Sequence, residues 1–332
     1  MFFLANLEIT RDMSKEDLPQ QMVDPVTLQK AANVIKDVGY IIFFTGAGIS
    51  AESGINTFRD PEHGVWANKI GLVMFGTPFG WNWIPGISWY FYRGFLEPIV
   101  SAQPNAAHLA ITQMYKRQDK KVKVITQNVD NLHQKAGIPD KDCAELHGTV
   151  FKYRCITNGH PLDVNIENGI PESSPICPIC KSNGRPNATL FTESLPSEAF
   201  DNAEKWTQEC LDEHGVMVII GTTGVVYPAA SIAENFIENG GIVIEINPEP
   251  STYTPHVNYF LKGNAGQVMP ELFRLAFGEV TDDENIETHI HEKTEEKSDV
   301  KETEKEFDDK VERVEEKKEK LKEEKDKKEE NK

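Results

Sequence analysis

Four short, largely apolar runs constrain the fold of this chain more than any other feature of its sequence. They cover residues 40–45, 122–125, 216–220 and 242–246. Runs of this kind are typical of strands that are buried on both faces of a parallel sheet. Polar or glycine residues follow each run, and in open α/β sheets ligands bind beyond the carboxyl ends of the strands. The sequence therefore predicts an α/β fold with a buried parallel sheet and a ligand site at one edge.

Glycines follow the first run directly, at Gly46 and Gly48 on either side of Ala47. Glycine between a strand and a helix lets backbone N–H groups approach a pyrophosphate, and the helix N-terminus adds favourable partial charge. A lone Gly-x-Gly is also common in ordinary turns. Here the loop continues into Phe58 and Arg59, which can place an aromatic ring and a cation near a nucleotide. We interpret the stretch as a candidate nucleotide-binding loop.

Polar side chains follow the second run at Gln127, Asn128 and Asp130, and His147 lies further along, next to a glycine. Imidazole titrates near neutral pH, and the glycine leaves room for a ligand to approach. On this stretch alone, a buried structural histidine is as consistent with the sequence as a catalytic one. His133 lies in a helix-like segment, and we interpret it as a structural or surface histidine.

The composition restricts the cellular setting and the class of partner. No apolar run approaches the roughly 20 residues that span a bilayer, so no membrane partner is expected. The N-terminal stretch lacks a basic region and resembles neither a secretory signal nor a transit peptide. Three of the five cysteines lie between residues 155 and 180, which favours a metal site in a reducing compartment over disulfide bonds. We expect a cytoplasmic location, with mitochondrial and nuclear locations left open, and the net charge of −18 argues against nucleic-acid binding.

Charged residues are concentrated at the C-terminal end. Residues 281–332 hold 22 acidic and 14 basic side chains, and a segment with so few apolar residues cannot fold alone. A seven-residue spacing separates the apolar residues Val300, Phe307, Val314 and Leu321. This spacing suggests a weak coiled-coil seam and a contact with another protein, but a solvated helix or disordered tail is the favoured alternative. We expect the folded part to end near Phe277.

Five motifs occur together in one order. They are GAGIS from Gly46, TQNVDNLH from Thr126, ELHG from Glu145, GTTGVVYPA from Gly221 and EIN from Glu245. In this order they resemble the sirtuin family of NAD-dependent protein deacylases, over residues 26–277. The resemblance implies a large Rossmann-like domain with two inserted modules, a helical one at residues 65–104 and a small zinc-binding one at residues 151–186. Residues 1–25 would then be an N-terminal extension, and residues 278–332 a charged tail.

The resemblance also implies the reaction and the residues that carry it. NAD and an acyl-lysine protein substrate would enter the cleft between the modules, with His147 as the general base and Asn128 at the nicotinamide ribose. The acyl oxygen would attack the ribose and expel nicotinamide, and water would release free lysine and 2′-O-acyl-ADP-ribose. The expected NAD-binding residues are Gly46, Ala47, Gly48, Phe58, Arg59, Gln127, Asn128, Asp130, Gly221, Thr222, Thr223, Asn247, Glu249 and Ala265.

Three cysteines, Cys155, Cys177 and Cys180, stand at the positions where sirtuins hold a structural zinc ion. Structural zinc takes four ligands, usually in two close pairs, but Asn158 occupies the fourth expected position. His160 could replace the missing ligand through a Cys-x4-His spacing, and water or a degraded site is the alternative. No catalytic role is expected for the metal, because a catalytic zinc keeps an open coordination position.

Tyr90 and Arg93 bear on which acyl group is removed. They lie three residues apart and would share one face of a helix, and Tyr-x-x-Arg at this place is similar to the signature of sirtuins that remove succinyl or malonyl groups. Arg93 could bind the distal carboxylate with the Tyr90 hydroxyl beside it. Gly76 falls where that branch keeps a small residue. An ordinary surface arginine is the alternative, and the other aromatic residues of segment 65–100 are expected to form a compact hydrophobic module.

One segment departs from the family pattern. Thr192 stands between Phe191 and Glu193 where sirtuins have glycine, and Leu190 replaces an aromatic residue, in a strand that pairs with the substrate backbone. A threonine keeps its backbone donor and acceptor, but its side chain restricts close approach. A plain deacetylase or a mono-ADP-ribosyltransferase is the alternative enzyme. A non-enzymatic NAD-binding scaffold that works through the charged tail is the alternative class of protein.

Overall fold

Two β-sheets organise the computed structural model, which describes residues 23–55 and 76–278. The strands are β1 (Tyr40–Thr45), β2 (Lys121–Thr126), β3 (Cys143–Glu145), β4 (Gly148–Cys155), β5 (Pro161–Leu162), β6 (Gly184–Ala188), β7 (Val216–Ile220), β8 (Ile242–Asn247) and β9 (Tyr259–Lys262). Six of them form a sheet in the order β3-β2-β1-β7-β8-β9, and every pairing in it is parallel. The predicted α/β fold with a parallel sheet is confirmed.

The strand order reverses between β1 and β7. From β1 the chain builds the sheet toward β2 and β3, and it then returns to the other side of β1 with β7. Such a switch point opens a crevice at the carboxyl ends of the strands. Thr45, Thr126 and Ile220 lie side by side at these ends. The loops that follow the three strands therefore leave the sheet next to one another.

Strand prediction succeeded for the interior of the sheet and missed its edges. The runs at residues 40–45 and 216–220 match β1 and β7, whereas β2 and β8 are slightly longer than predicted. No apolar run in the sequence predicted β3 or β9, which are three and four residues long. Edge strands lack a neighbour on one side and are less buried, so a continuous apolar run is not required of them.

Helices cover both faces of the parallel sheet. In the described residues they are α1 (Pro25–Asp37), α2 (Pro78–Trp83), α3 (Pro85–Ser101), α4 (Ala106–Tyr115), α5 (Leu132–Lys135), α6 (Ser197–Asp212), α7 (Ala230–Glu238) and α8 (Ala265–Phe277), with 3₁₀ turns at Ala47–Ser53, Asp140–Asp142 and Thr254–His256. Side chains of β1 alternate between the faces. Ile41 and Phe43 pack with α1, α4 and α8, while Ile42 and Phe44 pack with α6 and α7.

A second, antiparallel sheet in the order β5-β4-β6 lies within the range predicted for the zinc module and just before it. It shares a hydrophobic cluster with α2 and α3, in which Trp81, Trp89 and Tyr92 are buried. The rings of Trp89 and Tyr92 both meet Trp81 edge to face. Phe79, Trp83 and Tyr90 are exposed, so the segment only partly forms the compact module that was expected.

Helix α8 ends at Phe277, where the folded part was expected to end. The predicted heptad positions of the tail, together with Trp66 and Phe75 of the aromatic segment, lie outside the described residues. Among the helices of the described residues, none combines the length and apolarity that crossing a membrane requires.

Two histidines, His108 on α4 and His133 on α5, are buried together, with ring centroids 5.0 Å apart. Nδ1 of His108 accepts a hydrogen bond from the backbone N–H of Asn105 at 3.3 Å, and Nε2 of His133 lies 2.9 Å from the Thr45 hydroxyl. Burial lowers the pKa of His108 to about 4 and also lowers the pKa of His133. Both rings are therefore neutral at neutral pH, and His133 is structural rather than a surface residue.

Burial of His108 predicts a loss of stability in acid. Its pKa of about 4 in the folded chain lies below the ordinary value of 6.5, so the unfolded chain binds more protons between these values. The free energy of unfolding of the wild type should fall relative to His108→Gln by up to about 1.4 kcal/mol per pH unit below pH 6.5. Denaturant unfolding at several pH values checks this, with His256→Gln at the surface as the control. Equal pH slopes for wild type and His108→Gln would contradict it.

Candidate active site

The backbone of His147 is held between the two sheets. It follows β3 and precedes β4. The N–H of Leu146 donates to the carbonyl of Thr126 at 2.8 Å, and the carbonyl of His147 accepts from the N–H of Thr189 at 2.8 Å. The imidazole is consequently fixed beside the carboxyl end of β2, at the switch point of the parallel sheet.

One hydrogen bond determines which nitrogen of His147 can act as a base. Nδ1 lies 2.8 Å from the carbonyl oxygen of Gln127. A carbonyl only accepts, so Nδ1 carries the hydrogen and Nε2 presents a lone pair. Burial lowers the pKa of His147, although the Gln127 carbonyl acts in the opposite direction. The ring is therefore neutral at neutral pH, with Nε2 able to take a proton.

Asn128 and Asp130 form a buried network with Ser50. The Asn128 side-chain amide donates to the Gly46 carbonyl and to the Ser50 hydroxyl, both at 3.1 Å. The Ser50 hydroxyl donates to Asp130 at 2.7 Å, and the other Asp130 oxygen accepts from the N–H of Leu132 at 3.0 Å. Burial raises the pKa of Asp130, while these hydrogen bonds act to lower it. Ser50 was in the first motif but had been given no role.

The loop after β7 closes the crevice from the other side. The Thr222 hydroxyl accepts from the Gln127 side chain at 3.1 Å, and the Thr222 carbonyl accepts from the Asn247 side chain at 3.0 Å. Asn247 also donates to Glu245 at 2.8 Å, and the Thr254 hydroxyl donates to the other oxygen of Glu245 at 2.7 Å. Glu245 is fully buried. Its role in holding Asn247 was missed because it lies inside an otherwise apolar run.

The glycines of the first loop let it pack closely against the loop that follows β7. The N–H of Gly46 donates to the Ile220 carbonyl at 2.9 Å, and the N–H of Gly48 donates to the Gly221 carbonyl at 2.8 Å. A Cβ on Gly48 would lie 2.6 Å from the Gly221 Cα. These two amides are therefore occupied inside the fold, and the glycines permit close packing of loop on loop. The turn that follows Gly46 is a 3₁₀ helix, Ala47–Ser53.

The remaining expected NAD-binding residues differ in how exposed they are to solvent. Thr223 is exposed, and Glu249 is a largely exposed side chain 3.7 Å from Lys262. Ala265 is buried at the first position of α8; the next N–H donates to the Glu52 carboxylate at 2.6 Å. Phe58 and Arg59 lie outside the described residues.

Buried polar groups thus converge at the carboxyl ends of β1, β2 and β7, beside the neutral imidazole of His147. The side chains of Asn128, Asp130 and Thr222 are all buried there, and a crevice of this kind suits the ribose hydroxyls and amide of a dinucleotide. The residues present fit the binding of NAD.

The four predicted metal ligands are brought together. Their ligand atoms all lie within 4.8 Å of one another. Nδ1 of His160 is 3.6 Å from Sγ of Cys155 and 3.5 Å from Sγ of Cys177, and Sγ of Cys180 is 3.6 Å from Sγ of Cys155. Around a tetrahedral zinc, with Zn–S of about 2.3 Å and Zn–N of about 2.0 Å, such atoms lie about 3.5–3.8 Å apart. The donor set and its spacing fit a structural Cys3His zinc site.

Tyr90 and Arg93 both lie on α3, as the helix prediction requires. Arg93 is half-buried, and its Nε is buried without a hydrogen-bond partner in the described part of the chain. Tyr90 is 75% exposed. Helix α3 packs against Leu190 and Val129 in the shared hydrophobic cluster. The helix therefore lies against segments next to Asn128 and to the expected substrate strand.

Comparisons with known proteins point to one family. A model of the Sir2 family matches residues 46–228. The NAD-dependent protein deacylase of Pyrococcus furiosus is 39% identical over 249 residues, which cover 74% of this chain and 96% of the relative. NAD-dependent protein deacylase 1 of Pseudomonas aeruginosa is 37% identical over 243 residues, covering 71% and 94%.

Solved structures agree with the sequence relatives. A Sir2 homologue in complex with NAD superposes with a TM-score of 0.67 at 35% identity, covering 75% of this chain and 93% of that one. A Sir2 complex with a deacetylated p53 peptide and 3′-O-acetyl-ADP-ribose gives a TM-score of 0.66 at 26% identity, covering 76% and 99%.

The Cys3His cluster predicts about one equivalent of zinc in the purified protein, because its ligand atoms lie within 4.8 Å of one another and three of their separations match tetrahedral spacing. Cys177→Ser and His160→Ala should both lower the zinc content and the melting temperature, with His256→Ala as a control at an exposed histidine. Elemental analysis and thermal unfolding measure the two effects. Protein that holds no zinc and melts at the same temperature after chelation would contradict the prediction.

Proposed function

The chain belongs to the Sir2 family of NAD-dependent protein deacylases, and we propose that within this family it removes succinyl and malonyl groups from lysine. The observation that carries the acyl preference is Arg93, a half-buried arginine on α3 whose Nε has no hydrogen-bond partner among the described residues. A buried N–H of a guanidinium requires an anion or another acceptor. A dicarboxylic acyl group supplies a carboxylate at its far end.

Residues at the switch point supply the chemistry. Bound NAD would provide a glycosidic bond to nicotinamide whose cleavage drives removal of the acyl group. His147 would act as the base at Nε2, because Gln127 holds the hydrogen on Nδ1. A neutral imidazole of this kind takes a proton from a ribose hydroxyl more readily than the protonated form could.

The buried network of Ser50, Asn128 and Asp130 would hold the nicotinamide ribose and keep water away from it. Its members are already bonded to one another and to the backbone of two loops. Fixed donors and acceptors of this kind need little reorganisation during the reaction. On the adenosine side, Thr222 and Asn247 would bind the second ribose, with Glu245 orienting Asn247.

The position of α3 supports its role in acyl selection. Trp89, Tyr92 and Leu96 anchor the helix in a hydrophobic cluster that also contains Leu190. Arg93 lies one helical turn beyond Trp89, at the border of this buried face. An acyl chain that reached this cluster would place its terminal carboxylate in surroundings of low polarity, where a charge-assisted hydrogen bond is strong. The exposed Tyr90 hydroxyl would be a secondary contact.

We expect His147→Ala to remove turnover while NAD binding survives. Loss of a general base typically costs ~10²–10⁴-fold in rate, and the side chain takes no part in the buried network around Asn128. Steady-state kinetics and NAD titration measure the two effects. Because burial lowers the pKa of His147 below its ordinary 6.5, the acid limb of the wild-type kcat/KM profile should fall below pH 6.5. Near-normal turnover in the variant would show that another group is the base.

Arg93→Met should reduce kcat/KM for succinyl-lysine peptides by roughly 10- to 100-fold or more, since hydrogen bonds to charged groups contribute about 1.5–3 kcal/mol each. Acetyl-lysine peptides have no distal charge, so their turnover should stay the same or improve slightly. Tyr90→Phe should weaken succinyl turnover less, because it removes one neutral hydrogen bond.

Matched acetyl, succinyl and malonyl peptides of one sequence provide the measurement, and Arg274→Met at an exposed position of α8 provides the control. Equal losses on acetyl and succinyl peptides would make Arg93 a structural residue. Such a result would leave the family assignment intact and remove the acyl preference.

A further inference from the structure

Thr192 is in the left-handed region of backbone conformation, with φ of 77°. A β-branched residue is rarely found there, because its side chain crowds the backbone. Strained residues of this kind persist only where the surrounding structure holds them. We call residues 188 to 193 the 188–193 segment. Interactions around this segment must therefore hold Thr192 in its strained conformation.

An ion pair between the buried Arg185 and the partly exposed Glu193 bridges the two ends of the 188–193 segment. Arg185 is 4% exposed, and its Nη2 donates to both carboxylate oxygens of Glu193, at 2.6 and 2.8 Å. Its Nη1 donates to the carbonyl of Ala188 at 2.9 Å. Arg185, which precedes the segment in the chain, thus contacts both its first and its last residue.

Glu193 also closes the turn that contains Thr192. Its carboxylate accepts from the N–H of Leu190 at 3.0 Å, and its own N–H donates to the Leu190 carbonyl at 3.0 Å. Thr192 lies between these two reciprocal bonds. Arg154 on β4 adds a longer contact to the same carboxylate, at 3.4 Å.

Two further backbone hydrogen bonds join the turn to its neighbours, and one of them reaches the candidate base His147. The N–H of Thr189 donates to the carbonyl of His147, and the N–H of Phe191 donates to the carbonyl of Gly76, both at 2.8 Å. A change in the turn would therefore be transmitted to the backbone of His147 and to the segment that leads into α2.

We propose that the Arg185–Glu193 ion pair is a positioning device that holds Thr192 in its strained conformation and so sets the peptide-binding edge of the 188–193 segment. Withdrawing the Arg185 charge from water is costly unless it is paired, and its contacts with Glu193 and Ala188 hold the two ends of the segment in one geometry. Arg185 and Glu193 are positioning residues that act through the backbone of this segment. The inference rests on the proposed function in that the segment is taken to pair with an acyl-lysine peptide.

Glycine at position 192 provides the decisive comparison, because it adopts a positive φ without crowding. Glu193→Gln removes the charge yet keeps the size of the side chain. We expect it to raise KM for an acylated peptide by roughly 10-fold, the effect of weakening one charge-assisted hydrogen bond, and to leave the Kd of NAD unchanged. In the double variant with Thr192→Gly, most of the peptide KM should be restored.

The same variants are to be compared by their melting temperatures, a measurement that does not depend on enzyme activity. Thr192→Gly should raise the melting temperature less in the Glu193→Gln background than in the wild type, because a Thr192 released from its restraint has already relaxed part of the strain. Arg185→Lys keeps the charge but loses the two-pronged contact, and it repeats the cycle if Glu193→Gln folds poorly. Glu271→Gln, in the exposed Glu271–Arg274 pair, is the matched control and should be additive with Thr192→Gly.

Additive effects of Thr192→Gly and Glu193→Gln on both peptide KM and melting temperature would overturn the proposal. So would a Glu193→Gln variant whose KM for peptide and Kd for NAD rise together, since this indicates general loss of structure. If no acyl peptide is turned over by the wild type, the proposed function fails. Coupling in melting temperature would then still support the restraint of Thr192, and its absence would refute it.

Discussion

The contact between the loops that follow β1 and β7 is the constraint on which the candidate site depends. The N–H of Gly48 donates to the Gly221 carbonyl at 2.8 Å, and a Cβ on Gly221 would lie 2.4 Å from the backbone nitrogen of Ile49. Neither loop could come this close with a side chain at these positions. The contact fixes the 3₁₀ turn that carries Ser50, and Ser50 then meets Asn128 and Asp130 from the β2 loop. Packing of backbone on backbone thus sets up the polar network.

Three histidines show how surroundings decide the use of one chemical group. His108 and His133 are buried, with unpartnered nitrogens among the described residues, and burial lowers both of their pKa values. His133 also lies near the carboxyl end of β1, but its Nε2 is hydrogen-bonded with the Thr45 hydroxyl. His147 is also neutral, but it is only partly buried, and its Nδ1 is bonded to a carbonyl. Exposure of the ring, rather than the direction of the pKa shift, separates the candidate base from the structural pair.

The small antiparallel sheet connects the metal cluster to the segment beside His147. Cys155 pairs with Gly184, and Arg154 pairs with Arg185, across β4 and β6. The strand that supplies a metal ligand therefore lies next to the strand that supplies the buried arginine of the 188–193 segment. A structural metal in this cluster would in this way help to maintain the geometry of the 188–193 segment.

Local sequence was sufficient for the interior strands and for the loops that follow them. The family resemblance, together with the Cys-x4-His spacing, named the four candidate metal ligands that the fold brings together. Strands buried on both faces must be apolar along their whole length, so their ends are visible as changes in residue type. The edge strands β3 and β9, the buried Glu245 and the Arg185–Glu193 ion pair were not visible in this way. Each depends on contacts that only the folded chain brings together, such as Thr254 with Glu245. The sequence could therefore predict which groups are present near the crevice, but their protonation and partners follow from burial, which tertiary packing alone decides.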